Sequence, residues 1–332
     1  MNDYITLAHG EGGRLYRELV ERVFLPAFDN PALTELGDSA VCPAFGDRLA
    51  LTTDSFVVRP RFFPGGDIGR LAVSGTVNDL AVSGAEPLYL TCAMILEAGL
   101  PIAELRRICD SMAASAREAG VAIVTGDTKV VEKGACDGVF INTAGVGLFR
   151  REPLPQKIGP GDVILVSGSV GDHGLAVLAA RENLDFQPQL QSDAAPLNGL
   201  IDALLQAVPE TRALRDATRG GLTAVANEWA ETSGVTVAID ESAVPVQPQV
   251  RSACHLLGLD PLHAANEGKV VAAVPERFAD AALAALRAHP LGKDAAIIGR
   301  AESGRPQAVL ITAIGARRIL ALPEGEQLPR IC

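Results

Sequence analysis

A helix made almost entirely of small residues is the feature that most constrains the fold of this chain. Pro64-Gly65-Gly66 breaks the chain after an apolar run, and from Asp67 to Gly84 the apolar residues recur at helical spacing. Asp67 is the expected N-cap of this helix, and Gly84 is its expected end. Because small side chains let backbones approach closely, we expect the helix to pack tightly against a sheet.

Two polar residues interrupt the last turn of this helix. Asn78 and Asp79 would be costly in an apolar contact unless polar groups meet them. Asn and Asp side chains near helix ends often bond to nearby backbone, and for each residue alone this interpretation stands beside a functional one.

Four aspartates recur where apolar segments end. Asp38, Asp54, Asp79 and Asp127 each follow or close such a segment, within about ninety residues of chain. Hard oxygen ligands of this kind suit Mg²⁺, which proteins usually hold with a few carboxylates and the phosphates of a nucleotide. Each aspartate alone is also explained as a turn or cap residue, but together they favour a Mg-nucleotide site.

The length of the chain favours two domains. At 332 residues it exceeds the usual size of one domain, and the proline-bearing segment 150–155 is the expected link. The predicted boundaries are 1–150 and 151–322, with 323–332 as a tail. Strands and helices alternate, as they do in α/β folds. The expected helices include Pro101–Gly120, Gly171–Asn183, Pro196–Val208, Gly221–Ser233 and Pro275–His289.

Composition narrows the class of partner. A net charge of −11 argues against nucleic acid or an anionic membrane surface as the main partner. No apolar run approaches the ~18 residues of a membrane span and no secretory leader is recognisable, so we expect a cytoplasmic protein. The six cysteines form no CxxC pair, which predicts neither a disulfide framework nor a zinc site.

Polar clusters in the second half are further candidates for a site. Asp216, Arg219 and Gly220 precede an expected helix, whose N-terminus could hold phosphate. Glu267 follows on a loop, where spacing alone favours a solvated turn acid. His173 is expected at the start of a helix rather than as a metal ligand.

The chain ends in an unusual segment, Pro329-Arg330-Ile331-Cys332. The proline holds the preceding residue extended, so we expect the last residues to be mobile or docked by their own side chains. A terminal cysteine is reachable, but its own carboxylate disfavours the thiolate, so it would need a cationic or enclosed environment to react well. By position alone, a chance terminal thiol is the simpler interpretation.

Taken together, these motifs resemble the HypE family of [NiFe]-hydrogenase maturation factors, which are carbamoyl dehydratases. The wider resemblance is to aminoimidazole ribonucleotide synthetase, selenophosphate synthetase and thiamine-monophosphate kinase. The matching segments are Thr52-Thr53-Asp54, Phe63 to Gly69, Gly75 to Leu80, Gly126 to Val131, Asp216 to Gly221, Asn266-Glu267-Gly268 and the terminal Pro-Arg-Ile-Cys. The terminal tetrapeptide is the most specific of them.

The resemblance implies a fold and a reaction. The fold is a two-domain, synthetase-like α/β (α+β) structure, in which the N-terminal strands form a dimer sheet or barrel and a flexible tail carries the acceptor cysteine. The reaction is the ATP-dependent dehydration of a carbamoyl group on Cys332 to a thiocyanate, which supplies the cyanide ligand of hydrogenase iron. The implied partners are a second copy of the chain, the carbamoyltransferase HypF and the iron-carrying HypC-HypD complex.

The resemblance also assigns roles to residues. Cys332 would be the carbamoyl acceptor, Glu267 the base and Lys129 a group that stabilises charge. Mg²⁺ would be held by Asp38, Asp54, Asp79 and Asp127. ATP would be bound by these aspartates together with Asn78, Gly126, Thr128, Asp216, Arg219 and Gly220.

Two alternatives remain open from the sequence. Another ATP-dependent enzyme of the superfamily, activating an amide or a phosphate, would share Asp54, Asp79 and Asp127 without needing Cys332. A noncatalytic metal carrier would use Cys332 as a soft ligand, although no histidine or second cysteine lies near it in the sequence.

Overall fold

The computed structural model of the chain describes residues 4–10, 14–34 and 48–322. Two predicted site residues, Asp38 and Cys332, lie outside these ranges.

The first half is built on a mixed sheet that carries helices on one face. Its described helices and strands are α1 (Arg14–Leu19), α2 (Leu25–Phe28), α3 (Pro31–Thr34), β1 (Leu49–Phe56), β2 (Phe62–Phe63), β3 (Gly66–Asp67), α4 (Ile68–Val82), β4 (Glu86–Glu97), α5 (Ile102–Ala119), β5 (Ala122–Val131) and β6 (Val139–Leu148). Four of these strands form the sheet in the order β1-β6-β4-β5, and β2 pairs with β3. Within the sheet β4 and β5 are parallel, and the other neighbours are antiparallel.

The second half is built on a larger sheet with helices on both faces. Its described elements are β7 (Asp162–Val166), α6 (Asp172–Glu182), α7 (Asn198–Ala207), β8 (Ala213–Asp216), α8 (Gly221–Ser233), β9 (Thr236–Asp240), α9 (Pro248–Leu257), β10 (Val270–Pro275), α10 (Ala279–Ala288), β11 (Ala296–Glu302), β12 (Gln307–Ile311) and β13 (Arg317–Ile319). The strand order is β13-β12-β9-β11-β7-β10-β8. The buried Trp229 of α8 lies in the core on one face, while α7 and α10 cover the other.

Helix α4 packs against β1 and β6 of the sheet, as expected, and also against α5. Asp67 caps it by accepting hydrogen bonds from the backbone N–H groups of Gly69 (2.8 Å) and Arg70 (3.0 Å). A Cβ on Gly69 would lie 2.5 Å from the Ile108 carbonyl oxygen of α5, so only glycine fits this crossing. The helix therefore sits close enough to its neighbours for its polar last turn to meet other elements.

The last turn of α4 joins the two halves of the chain. Ala81 and Val82 belong to the core that α7 and α10 also line. Asn78 is buried, and its amide donates to the carbonyls of Ala195 (3.1 Å) and Glu267 (3.4 Å) and accepts from the Leu197 N–H (2.7 Å). These bonds fix two segments of the second half against α4.

None of the described helices has both the length and the apolar character needed to span a bilayer.

Substitution of Asn78 should loosen this junction. Asn78→Ala leaves a buried N–H and a buried carbonyl without partners, which we expect to lower the free energy of unfolding by about 3 kcal/mol. Urea denaturation measures the loss. Asn198→Ala is the matched control, because this half-buried side chain gives one bond, to the Ala119 carbonyl at 2.8 Å, and should cost about 1 kcal/mol. Equal losses in the two variants would contradict the role of Asn78.

Candidate functional site

Two of the predicted metal-binding aspartates meet where α4 lies against β1. Asp54 stands near the end of β1, and Asp79 stands on the last turn of α4; the two carboxyl groups are close enough to interact electrostatically. The Thr52 hydroxyl donates to Asp79 Oδ2 at 2.8 Å. Burial and the neighbouring Asp79 raise the pKa of Asp54 to about 6, with Arg219 acting in the opposite direction. The pair is therefore a set of hard oxygen donors with excess negative charge.

Asp216 adds a third carboxyl group from the second half. It ends β8, which packs against α4. Burial first, and then the charges of Asp79 and Asp54, raise its pKa to about 7. The structure thus brings Asp54, Asp79 and Asp216 together from three separate elements.

Glu267 is buried at the same junction, with a relative exposure of 3%. The interpretation of this residue as a solvated turn acid is therefore wrong. Burial raises its pKa well above the ordinary value, and the charges of Asp216, Asp193 and Asp54 add to the effect while Arg219 opposes it. A carboxyl group in this environment takes up a proton readily, as a general base must.

The backbone before Glu267 is fixed by Asn266. Its side-chain amide donates to the Ala217 carbonyl at 2.9 Å, and its Oδ1 accepts from the Gly171 N–H at 2.8 Å. These bonds tie the loop to the segment after β8 and to the start of α6. The bonds of Asn266 therefore fix the position of Glu267 relative to Asp216.

At the helix N-terminus predicted to hold phosphate, backbone N–H groups already donate hydrogen bonds to carbonyls of the protein itself. The N–H of Gly221 donates to the Thr218 carbonyl (2.9 Å), and that of Thr223 donates to the Leu262 carbonyl (3.0 Å). Gly220 supplies the left-handed turn, with φ of +76°. The exposed Arg219 is consequently the better candidate in this motif for contact with an anion.

The prediction that Asn78 contacts the nucleotide is not supported by its geometry. Its amide nitrogen and oxygen are both bonded to backbone of the second half. A buried amide with its donors and acceptor in use has little left for a ligand. Asn78 instead positions Glu267 and the segment around Ala195.

Asp127 and Lys129 lie at the opposite edge of the sheet from Asp54, contrary to the prediction that they share its site within one chain. The register aligns Asp54 with Thr143 on β6, then Cys92 on β4, then Gly126 on β5. Three strand spacings separate the two edges by about 14 Å. The exposed Asp127 and Lys129 belong to the face turned away from α4, and the buried Thr128 to the other. The predicted four-aspartate set is therefore not assembled by a single copy.

In the ranges 4–10, 14–34 and 48–322, no three His, Cys, Asp or Glu side chains are grouped so as to hold a metal ion by themselves. Cys92, Cys109, Cys136 and Cys254 are buried free thiols.

One buried acid in the site was not predicted from the sequence. Asp193 lies behind Glu267 and pairs with Lys269, the two groups being 2.9 Å apart. Its carboxylate also accepts the Glu267 N–H at 3.0 Å. The partners are more than seventy residues apart in the sequence, so no local pattern marks them.

Comparisons with known proteins find similarity over nearly the whole chain. Residues 36–149 match the family model "AIR synthase related protein, N-terminal domain", and residues 159–311 match the corresponding C-terminal domain. Carbamoyl dehydratase HypE of Cupriavidus necator is 53% identical, covering 99% of this chain and 95% of that protein.

Solved structures of HypE proteins are also similar to this chain over most of its length. The crystal structure of hydrogenase maturation protein HypE in complex with ATP superposes with a TM-score of 0.95 at 49% identity, covering 98% of this chain and 99% of that one. The HypE chain matched in a HypE-HypF complex has a TM-score of 0.81 at 49% identity, covering 92% of this chain and 99% of that one.

The carboxyl cluster should lower stability at neutral pH. The raised pKa of Asp216 means that the folded state holds this proton more tightly than the unfolded chain does. Stability from this group is therefore present near pH 4 and is lost as pH rises towards 7. We expect Asp216→Asn to raise the free energy of unfolding by about 2 kcal/mol at pH 8 in the absence of divalent cations, and to have little effect near pH 4.

Urea denaturation at the two pH values measures the difference. Asp110→Asn, on the exposed side of α5, is the matched control and should change stability at neither pH. An Asp216→Asn variant that is less stable than the wild type at pH 8 would show that the cluster is not under electrostatic strain.

Proposed function

The chain belongs to the HypE family of carbamoyl dehydratases, and we propose on this basis that it dehydrates a carbamoyl group carried on Cys332, using ATP. The observation that carries the proposal is the buried Glu267, whose pKa is raised beside three aspartates at the junction of the two halves. The product is a protein-bound thiocyanate, the source of a cyanide ligand for [NiFe]-hydrogenase iron.

The chemistry requires a leaving group and a base. The carbonyl oxygen of the S-carbamoyl group attacks the γ-phosphorus of ATP, and the bond from that phosphorus to the ADP oxygen breaks. One N–H proton passes to Glu267, which gives an O-phosphoryl imidate. Loss of phosphate with the second N–H proton forms the C≡N bond. The elements of water leave the amide and appear in the hydrolysis of ATP to ADP and phosphate.

The residues at the site suit this task. Asp54 and Asp79 offer hard oxygen donors, and Mg²⁺ is commonly held by one or two carboxylates together with substrate phosphates. Mg²⁺ supplies charge neutralisation at the phosphates. The exposed Arg219 is proposed to contact the phosphates, and its charge opposes the raised pKa of Glu267. Asp38 is also predicted to hold Mg²⁺, but it lies outside the described ranges.

A second copy of the chain is proposed to complete the site. The sheet face turned away from α4 exposes large apolar side chains, with Leu49 60%, Leu51 75% and Ile95 41% accessible. A twofold axis along the strands above this face carries β5 of one copy over β1 of the other. Asp127 and Lys129 of the second copy would then approach the edge that bears Asp54.

The remaining partners follow from the reaction. A HypE relative has been crystallised with HypF, and we propose that the equivalent carbamoyltransferase loads Cys332 here. The HypC-HypD complex is proposed to take the cyanide onto its iron. The proposed location of these exchanges is the cytoplasm.

Intact-mass spectrometry tests the reaction directly. With the carbamoyltransferase, carbamoyl phosphate and ATP, the wild type should gain one carbamoyl group and then lose the mass of one water. Glu267→Gln should keep the carbamoyl group, with the rate of water loss reduced by about 100-fold or more, because the amide cannot accept the proton. Glu210→Gln, the same change at an exposed residue before β8, should behave as the wild type.

Cys332→Ala should show neither mass change. Full turnover of a free small substrate by Cys332→Ala would instead indicate another ATP-dependent enzyme of the superfamily. Tight iron or nickel binding that is lost with Cys332 and needs no ATP would indicate a metal carrier.

Mixing inactive variants tests whether two copies share one site. Asp54→Asn and Lys129→Met should each be inactive alone. If Lys129 acts across the interface, half of the sites in each mixed dimer contain both native residues, so an equal mixture should recover about a quarter of the wild-type activity. Native mass spectrometry verifies that mixed dimers have formed. Mixed dimers without activity would place Lys129 and Asp54 in the site of the same chain, or show that Lys129 has no part in it.

A further inference from the structure

The turn that carries Glu267 is held from behind by Asp193. Oδ1 of Asp193 accepts the Glu267 N–H at 3.0 Å, and Oδ2 accepts the Gly268 N–H at 3.3 Å and Lys269 Nζ at 2.9 Å. The Asp193 side chain is only 4% exposed. One carboxylate therefore binds three consecutive residues.

The opposite side of the turn is also occupied. The carbonyl of Glu267 accepts the Ala195 N–H at 3.2 Å and the Asn78 amide at 3.4 Å. A Cβ on Gly268 would lie 1.8 Å from the carbonyl oxygen of Asp193, so the turn packs directly on backbone. Because the peptide of Glu267 is hydrogen-bonded on both sides and packed without free space, it is held in one position.

The segment that bears Asp193 is anchored in turn to the first half of the chain. The Ser192 N–H donates to the Pro64 carbonyl at 2.8 Å, and the Ser192 hydroxyl is 2.8 Å from His173 Nδ1. A Cβ on Gly65 would lie 2.5 Å from the Ser192 carbonyl oxygen. The support of the turn thus extends to the loop before α4.

Asp193 remains a charged acceptor despite its burial. Burial raises its pKa, but Lys269, the Glu267 N–H and His173 together outweigh burial and hold the pKa below the ordinary value. A carboxylate offers acceptor capacity on both oxygens, whereas an amide offers it on one. The arrangement of two N–H groups on two oxygens therefore depends on the aspartate.

We propose that Asp193 is a positioning residue for the dehydration, which fixes the direction of Glu267 by holding the backbone N–H groups of Glu267 and Gly268. This inference rests on the proposed function, since it assigns to Asp193 the alignment of the base with the carbamoyl nitrogen. Asp193 itself does not touch the reacting atoms. Its contribution lies in the geometry of proton transfer, which is lost steeply with small displacements.

A double variant that removes both charges distinguishes the positioning role of Asp193 from the effect of its ion pair with Lys269. Asp193→Asn/Lys269→Met removes both charges together and leaves one acceptor oxygen for two N–H groups. Lys269→Met alone removes the ion pair and keeps both backbone bonds. Asp193→Asn alone, which preserves volume, is the second variant should the double one fail to fold, and thermal melting checks folding in each case.

The rate of water loss from carbamoyl-loaded protein is measured by intact mass after ATP-Mg is added. We expect kcat to fall about 100-fold in the double variant and in Asp193→Asn. Lys269→Met should stay close to the wild type. The KM for ATP and the extent of carbamoyl loading should not change in any of them, because the misplaced group acts after binding.

Three results would overturn the inference. One is a wild-type kcat in the folded double variant, and another is an equal loss of kcat in Lys269→Met. The third is a loss of ATP affinity as large as the loss of kcat, which is the signature of a general structural role. A wild-type chain that is loaded but never loses water would contradict the proposed function and the inference with it, and is distinguished by the wild-type measurement alone.

Discussion

The close contact of α4 with both halves of the chain is the constraint on which the rest of the structure depends. Gly69 brings α4 against α5, and Gly75 brings it against the Phe56 ring, 2.9 Å from where a Cβ would be. Because the helix has so little bulk, its last turn reaches the second half, where Asn78 and Asp79 meet polar groups. The fold thus uses small residues to bring two separately built sheets to one polar junction.

The electrostatics of that junction work against the folded state in the absence of a ligand. Burial and mutual repulsion raise the pKa of Asp54, Asp216 and Glu267, so each charge is held at some cost in free energy. Clusters of this kind persist where function requires them. The buried Asp193–Lys269 pair differs, because its charges compensate each other and serve to hold backbone.

Elements with strong local signals were predicted well from the sequence. Helix α5 begins after Pro101 and ends at the left-handed Gly120, and α8 covers the predicted residues. Helix α9 was not predicted, because it buries only Val250, Ala253 and Cys254, which is too few apolar positions for a clear helical period. Strand β8 was missed because four residues are too few for an alternating pattern to be seen.

The candidate site was predictable in its residue types but not in its arrangement. Glu267 is buried by partners that lie up to 189 residues away, so spacing could not distinguish it from a solvated acid. Asp127 and Asp54 each come after a short apolar run in the sequence, but the strand order places β5 and β1 at opposite edges of the sheet. Periodicity tells which residues share an element, whereas the edge and face on which an element lies depend on the whole sheet.

A site with this excess of negative charge is suited to assembly from several components. Asp54, Asp79, Asp216 and Glu267 repel one another, and Arg219 offsets only part of that charge. In the proposed reaction the remaining cations arrive with the nucleotide and from the second copy, and the substrate arrives on the chain's own cysteine. The catalytic arrangement is then complete only when all of these are present, which limits the hydrolysis of ATP by a site that holds no carbamoyl group.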